Sequence, residues 1–211
     1  MKNILEQLLG HQSLSQEESR EVMYSIMSGE YNDAQISGFL IALRAKGESS
    51  AEIAGFAEAM REKMTPIKIE SDAMDMCGTG GDAKGTFNIS TAASFVVAGA
   101  GVHVAKHGNR SMTSKSGSAD VLKALGVDIT LAPEKVAKCI DEIGIGFMFA
   151  PSLHPAMKYA MGARTALGTR TVFNILGPLC NPAGVKRQLM GIFEGSLTDK
   201  IAEVLKKLNS K

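Results

Sequence analysis

The strongest constraint on the fold is a change of pattern at Thr65 and Pro66. Beyond it, short apolar segments at Met74 to Met76, Val102 to Ala105, Ile145 to Ala150 and Gln188 to Phe193 alternate with helical patterns around 90–99, 116–125 and 133–143. Strands separated by helices predict an α/β architecture with a parallel sheet. In such sheets ligands sit beyond the carboxyl ends of the strands. A glycine-rich turn follows Met76 and a polar loop follows Ala105, so both are expected at that edge.

The first third reads as three or four short helices. Ser15 with Glu18 and Ser49 with Glu52 have the spacing of capping boxes, and Gly29 and Gly47 are placed as C-terminal stops. Three apolar stripes recur at helical spacing: Val22, Met23, Ile26 and Met27; Ile36, Phe39, Leu40 and Leu43; Ile53, Phe56, Ala57 and Met60. These are core or helix-pairing surfaces. A helical domain over 1–69 and an α/β domain over 70–211 are expected. Residues His154 to Leu176 read as helical again, interrupted at Gly162 and Gly168.

At 211 residues the chain is long enough to bury a sizeable core. Lys and Arg total 23 against 22 Asp and Glu, so no net field recruits nucleic acid or a membrane surface, and the expected partners are small molecules. Cys77, Cys139 and Cys180 are widely spaced with no CxxC pair, which fits a reducing compartment rather than a disulfide framework or zinc knuckle. The N-terminus has no signal-peptide core, and the longest apolar stretch, Phe95 to Val102, is too short for a bilayer. A cytoplasmic location is expected.

The chemistry concentrates in CGTGGDAKGTFNIST, Cys77 to Thr91, and KHGNRS, Lys106 to Ser111. Gly78, Gly80 and Gly81 permit positive φ and close approach of a ligand to backbone amides. Ser90 and Thr91 stand where a helix begins, and the free N–H groups and positive dipole end of a helix favour an anion. Lys106, Arg110 and Lys115 bring cations to the second loop, and Asn109, Ser111, Thr113 and Ser114 bring hydrogen-bonding groups. Two such loops suit a ligand with two phosphate groups. The glycine run matches neither GxGxxG nor GxxxxGK[ST], which disfavours a Rossmann dinucleotide site and a P-loop.

Taken in order, CGTGGD, NIST, KHGNRS, GSADVL and NILGPLCNPA resemble the anthranilate phosphoribosyltransferases of tryptophan biosynthesis. That resemblance implies a nucleoside phosphorylase/phosphoribosyltransferase-like fold in which about 154–176 folds back onto the N-terminal helices, and a homodimer through the helical domain. It implies transfer of the phosphoribosyl group of phosphoribosyl pyrophosphate to anthranilate, with Mg2+ assisting pyrophosphate departure and no residue assigned as acid or base. The phosphoribosyl pyrophosphate site would comprise Gly78, Gly81, Asp82, Thr86, Asn88, Ile89, Ser90, Thr91, Lys106, His107, Gly108, Asn109, Arg110, Ser111, Met112, Thr113, Ser114 and Ser118. Ser90 would also touch the metal. Anthranilate would meet Gly78, Asn109 and the Arg164 cation, with His107, His154 and Pro178 as wall residues.

Members of that family continue beyond the position of Lys211 into a further strand and an Asp-Glu pair that holds magnesium. The chain therefore reads as truncated, with an α/β domain incomplete at its C-terminus, an exposed sheet edge, part of the apolar face from Ile201 to Leu208 exposed and little or no expected turnover. Three alternatives stand beside this reading. One is a pyrimidine nucleoside phosphorylase; another is a non-catalytic nucleic-acid-binding relative using Lys186, Arg187, Lys206, Lys207 and Lys211; the third is a catalytically dead remnant that only associates with partners.

Overall fold

The computed structural model describes residues 1–80, 87–110 and 116–211. In chain order it contains α1 (Lys2–Leu9), α2 (Gln16–Met27), α3 (Asp33–Lys46), α4 (Ser50–Lys63), β1 (Met74–Gly78), α5 (Ile89–Gly99), β2 (Val104–Gly108), α6 (Ser118–Ala124) and α7 (Pro133–Lys138). There follow β3 (Ile145–Phe149), α8 (Ala150–Leu153), α9 (Lys158–Leu167), α10 (Phe173–Leu176), β4 (Arg187–Gly191) and α11 (Thr198–Lys207). These elements form two compact units, one of residues 1–64, 154–180 and 196–209, the other of residues 65–153, 181–195 and 210–211.

In the helical unit, local chemistry fixes the helix ends. Ser15 with Glu18 and Ser49 with Glu52 form reciprocal capping boxes, and Asn32 with Gln35 forms a third that the serine pattern did not announce. Gly29 and Gly47 follow α2 and α3 with φ of +79° and +85°, as C-terminal stops require. Met23, Ile26, Ile36, Phe39, Leu40, Leu43, Ile53 and Phe56 are fully buried, each stabilising the fold by about 1.5–3 kcal/mol through removal from water. Phe39 and Phe56 meet edge to face at 5.9 Å. Beneath α4's first turn lies a buried ion pair, Lys46 Nζ to Glu52 Oε2 at 2.9 Å, and Leu14 N–H donates to Glu52 Oε1 at 2.9 Å.

Two expectations change here. Helix α9 runs through Gly162 without a break and stops at Gly168, which is left-handed. The apolar face of α11 is not exposed: Ile201, Val204 and Leu208 are buried, with α11 packed on α4. Residues 65–69 also fall with the α/β unit and α11 with the helical one. An amphipathic stripe specifies that a helix must be covered, without specifying by which neighbour.

The α/β unit carries one parallel sheet in the order β3-β2-β1-β4. Its strands begin and end within two residues of the sequence-based expectations, except that β2 (Val104–Gly108) runs three residues past Ala105. On one face Ala105 and Met148 pack with Val136 and Ile140, from α7 and the π-helical turn Cys139–Ile143 that continues it. On the other, Phe149 packs with Ala119 and Leu122 of α6. Strand β4 lies at the edge, with Leu189 61% exposed.

Candidate functional site

At the carboxyl end of β1, Thr79 is fastened to the end of β4. Its N–H donates to Gly191 O at 2.9 Å, and its Oγ1 accepts from Phe193 N at 3.0 Å. Gly80 then takes φ +67°, a conformation that an L side chain resists. Gly81, Asp82 and Thr86 lie outside the described residues.

Helix α5 begins immediately after this loop. Asn88 occupies its N-cap without a side-chain capping bond. The Asn88 amide instead reaches the residues before α6: Nδ2 donates to Ser116 O at 3.4 Å and Oδ1 accepts from Ser116 Oγ at 3.1 Å. Thr91 Oγ1 donates to Ser118 Oγ at 3.0 Å. The first turns of α5 and α6 are thus held side by side, with the Ile89 and Thr91 N–H groups taken by Phe87 O and Asn88 O and that of Ala119 by Asn109 O. Ile89 is exposed and Ser90 half-buried at the same end.

The second loop leaves β2 beside them. Gly108 is required by packing, because a Cβ there would stand 2.7 Å from the Phe147 ring and 3.3 Å from Ser118 Cβ. Asn109 O accepts from Ala119 N at 3.2 Å and its Oδ1 from Arg110 N at 2.7 Å, while the Arg110 guanidinium stands 5.7 Å from the centre of the Phe149 ring. His107 is buried. Lys106 is also buried, its ammonium donating to the Met76 carbonyl of β1. Ser111, Met112, Thr113 and Ser114 lie outside the described residues.

Of the expected anthranilate contacts, Gly78, His107 and Asn109 belong to the α/β unit, and His154, Arg164 and Pro178 to the helical unit. Within the latter, the Arg164 guanidinium lies 5.1 Å from the Phe173 ring centre and pairs with no carboxylate among the described residues. Desolvation pulls its pKa below the usual arginine value, the signature of a cation that has lost water without gaining a described anion. Burial lowers the His154 pKa to about 4, so its ring is neutral at physiological pH. Pro178 is buried in the turn Gly177–Leu179, whose last carbonyl accepts from Arg61 Nε at 2.7 Å.

Sequence reasoning missed Thr79, Ser116, Phe149, Phe173, Asn181 and Asp75. The last two had a signal. Asp75 is a charge inside an apolar strand, and Asn181 sits in the NILGPLCNPA motif. Asn181 Nδ2 donates to Ala105 O at 3.0 Å, bracing β2 from within the same unit. A crevice of about 220 Å3 lined by Asp72, Lys186 and Arg187 lies at the amino ends of β1 and β4, opposite the loops that carry the chemistry. No three His, Cys, Asp or Glu side chains cluster as a metal site among the described residues, and no described helix is long and apolar enough to cross a membrane.

Residues 70–211 match the a/b domain of a glycosyl transferase family, and residues 2–64 match that family's helical bundle domain. An anthranilate phosphoribosyltransferase of Chelativorans sp. (strain BNC1) is 56% identical over 199 residues, covering 94% of this chain and 59% of the relative. A crystal structure of the Thermus thermophilus anthranilate phosphoribosyltransferase superposes with a TM-score of 0.94 at 45% identity, covering 98% of this chain and 63% of that one. The Saccharomyces cerevisiae anthranilate phosphoribosyltransferase in complex with PRPP and Mg gives 0.89 at 29% identity, covering 98% and 62%. The chain spans about three fifths of the length of these relatives.

Proposed function

Since the chain belongs to the glycosyl transferase family that joins a helical bundle domain to an a/b domain, we propose that it binds phosphoribosyl pyrophosphate and transfers its phosphoribosyl group to anthranilate. The observation that carries this reading is the convergence, at one edge of a parallel sheet, of the loops after β1 and β2 with the joined first turns of α5 and α6. Backbone N–H groups, the Thr91 and Ser118 hydroxyls and the Arg110 cation suit a phosphorylated ligand at that edge. The names of the relatives supply the substrate class.

In the proposed reaction the amine lone pair of anthranilate forms the bond to C1 of the ribose. The C1–O bond to pyrophosphate breaks, pyrophosphate leaves with the bonding pair, and the new C–N group loses a proton. Developing oxocarbenium character demands little deprotonation of the amine, so positioning and charge stabilisation dominate. Arg164 would hold the anthranilate carboxylate: it is half-buried and has no described acidic partner. Neutral His154 and buried Pro178 would offer uncharged surface to the ring.

Magnesium fits as a substrate-borne ion. Among the described residues the Ser90 hydroxyl is a suitable oxygen donor, and Mg2+ readily completes its coordination with phosphate oxygens and waters. It would supply charge neutralisation on the departing pyrophosphate. We read the location as cytoplasmic, supported by the free thiols of Cys77, Cys139 and Cys180. The assembly is read as a homodimer through the helical unit, supported by exposed Leu9, Tyr24 and Ile41; light scattering at micromolar concentration tests it, a monomer being the contrary result.

Calorimetry of the purified chain with phosphoribosyl pyrophosphate and Mg2+, followed by an assay of anthranilate consumption, tests the main reading. Binding is expected. Absence of binding, or phosphorolysis of pyrimidine nucleosides instead, overturns the reading.

A further inference from the structure

The backbone ladder between β1 and β2 stops at their first residues, four positions before the two loops leave the sheet. Strand β1 pairs with β4 at five successive positions from Met74–Arg187 to Gly78–Gly191, and β2 pairs with β3 at five from Val104–Ile145 to Gly108–Phe149. Between β1 and β2 the register is a single pair, Met74–Val104. Past that pair, side chains bridge the strands. Asp75 Oδ1 accepts the His107 N–H at 3.1 Å, and Lys106 Nζ donates to the Met76 carbonyl.

Neither residue meets solvent appreciably: Asp75 is 0% exposed and Lys106 3%. A buried charge is tolerated only where another charge or dipoles offset its desolvation. At Asp75 the hydrogen bonds from Asn181 and from the His107 N–H offset that cost most, and the Lys106 charge less. Burial raises the Asp75 pKa and lowers that of Lys106, and in both cases the partner's charge opposes the shift. Asp75 Oδ2 has no hydrogen-bond partner of normal geometry, although the Asn181 amide and Cys77 thiol lie against the carboxylate. A plain backbone ladder would avoid all these costs, so the wedge must be judged by what it does to the strand ends.

We propose that Asp75 is a positioning residue for the diphosphate site: with Lys106 it wedges β1 from β2 and thereby sets the separation of the glycine loop and the loop from His107 to Arg110. Lys106 then acts through the sheet, presenting its backbone to the loop while its ammonium remains at Met76. This inference rests on the proposed phosphoribosyl pyrophosphate site for its functional consequence, and on the strand geometry alone for its structural part.

A double-mutant cycle tests the functional part. Asp75→Asn keeps an oxygen for the His107 N–H but removes the carboxylate charge, and Lys106→Met keeps the stem but removes the ammonium. Each single change is expected to weaken phosphoribosyl pyrophosphate binding about tenfold, with the double variant no weaker than the worse single, because neighbours acting as one device are non-additive. The thermal midpoint of the helical unit should be unmoved. Additive losses, or a lysine effect with no Asp75 effect, would show that Lys106 meets the ligand independently and would overturn the proposal.

Amide hydrogen exchange tests the structural part without any ligand. The His107 amide should be protected in the wild type and in Asp75→Asn, and should exchange at least tenfold faster in Asp75→Ala, where the acceptor is gone. Should Asp75→Ala fail to fold, wild-type and Asp75→Asn protection decide the matter. An unprotected wild-type His107 amide overturns the wedge. If the wild-type chain binds no phosphoribosyl pyrophosphate, the proposed function falls, and the exchange result alone decides this inference.

Discussion

The Thr91 hydroxyl donates to the Ser118 hydroxyl at 3.0 Å, joining the first turn of α5 to the first residue of α6. Thr91 is 3% exposed, so the bond forms away from competing water and fixes how the starts of the two helices lie against one another. Thr91→Val conserves shape and removes the donor. A net loss of about 1 kcal/mol is expected, seen as about fivefold weaker binding of phosphoribosyl pyrophosphate in calorimetry with little change in far-ultraviolet circular dichroism. Unchanged affinity would separate this contact from the site.

The Arg164 guanidinium lies 5.1 Å from the Phe173 ring centre. Replacing it with alanine is expected to weaken anthranilate binding by about 2 kcal/mol, roughly thirtyfold, since a charge-assisted pair in a partly desolvated place is lost. Phosphoribosyl pyrophosphate affinity should change little. Comparable losses for the two ligands in parallel titrations would assign Arg164 a structural role.

Glu52 closes a buried arrangement with Lys46, Leu14 N–H and Ser49 N–H. Glu52→Gln leaves the Lys46 ammonium buried without its counter-charge, which is expected to destabilise the helical unit by about 3 kcal/mol. Urea denaturation followed by helical circular dichroism should show the midpoint falling with the slope preserved. Pairing the change with Lys46→Met should recover part of the loss, because the orphaned charge is removed as well.

Burial lowers the His154 pKa from an ordinary 6.5 to about 4. The unfolded chain therefore binds a proton that the folded chain refuses between those values, and stability must rise with pH across that window. This contribution is present above about pH 6.5 and lost as pH falls through about 4, amounting to about 3 kcal/mol at most. Denaturation curves between pH 4 and 7 should be steeper in pH for the wild type than for His154→Gln. Parallel curves would show that His154 titrates normally.

What the sequence determined alone was mostly local. The helix stops at Gly29 and Gly47, the capping boxes at Ser15 and Ser49, and the alternation that seats two loops at one sheet edge follow from backbone preferences and periodicity acting over a few residues. The order of motifs also carried the family resemblance. Only tertiary structure decided which surface each stripe would cover. The α11 face from Ile201 to Leu208 was legible as apolar, but its burial on α4 depends on residues far away in the chain. The same holds for Asp75. Its charge was visible among methionines, yet its contact with the His107 amide exists only once two strands some thirty residues apart are adjacent. Periodicity specifies that a group must be buried; long-range packing selects its partner and thereby turns a polar residue into part of a site.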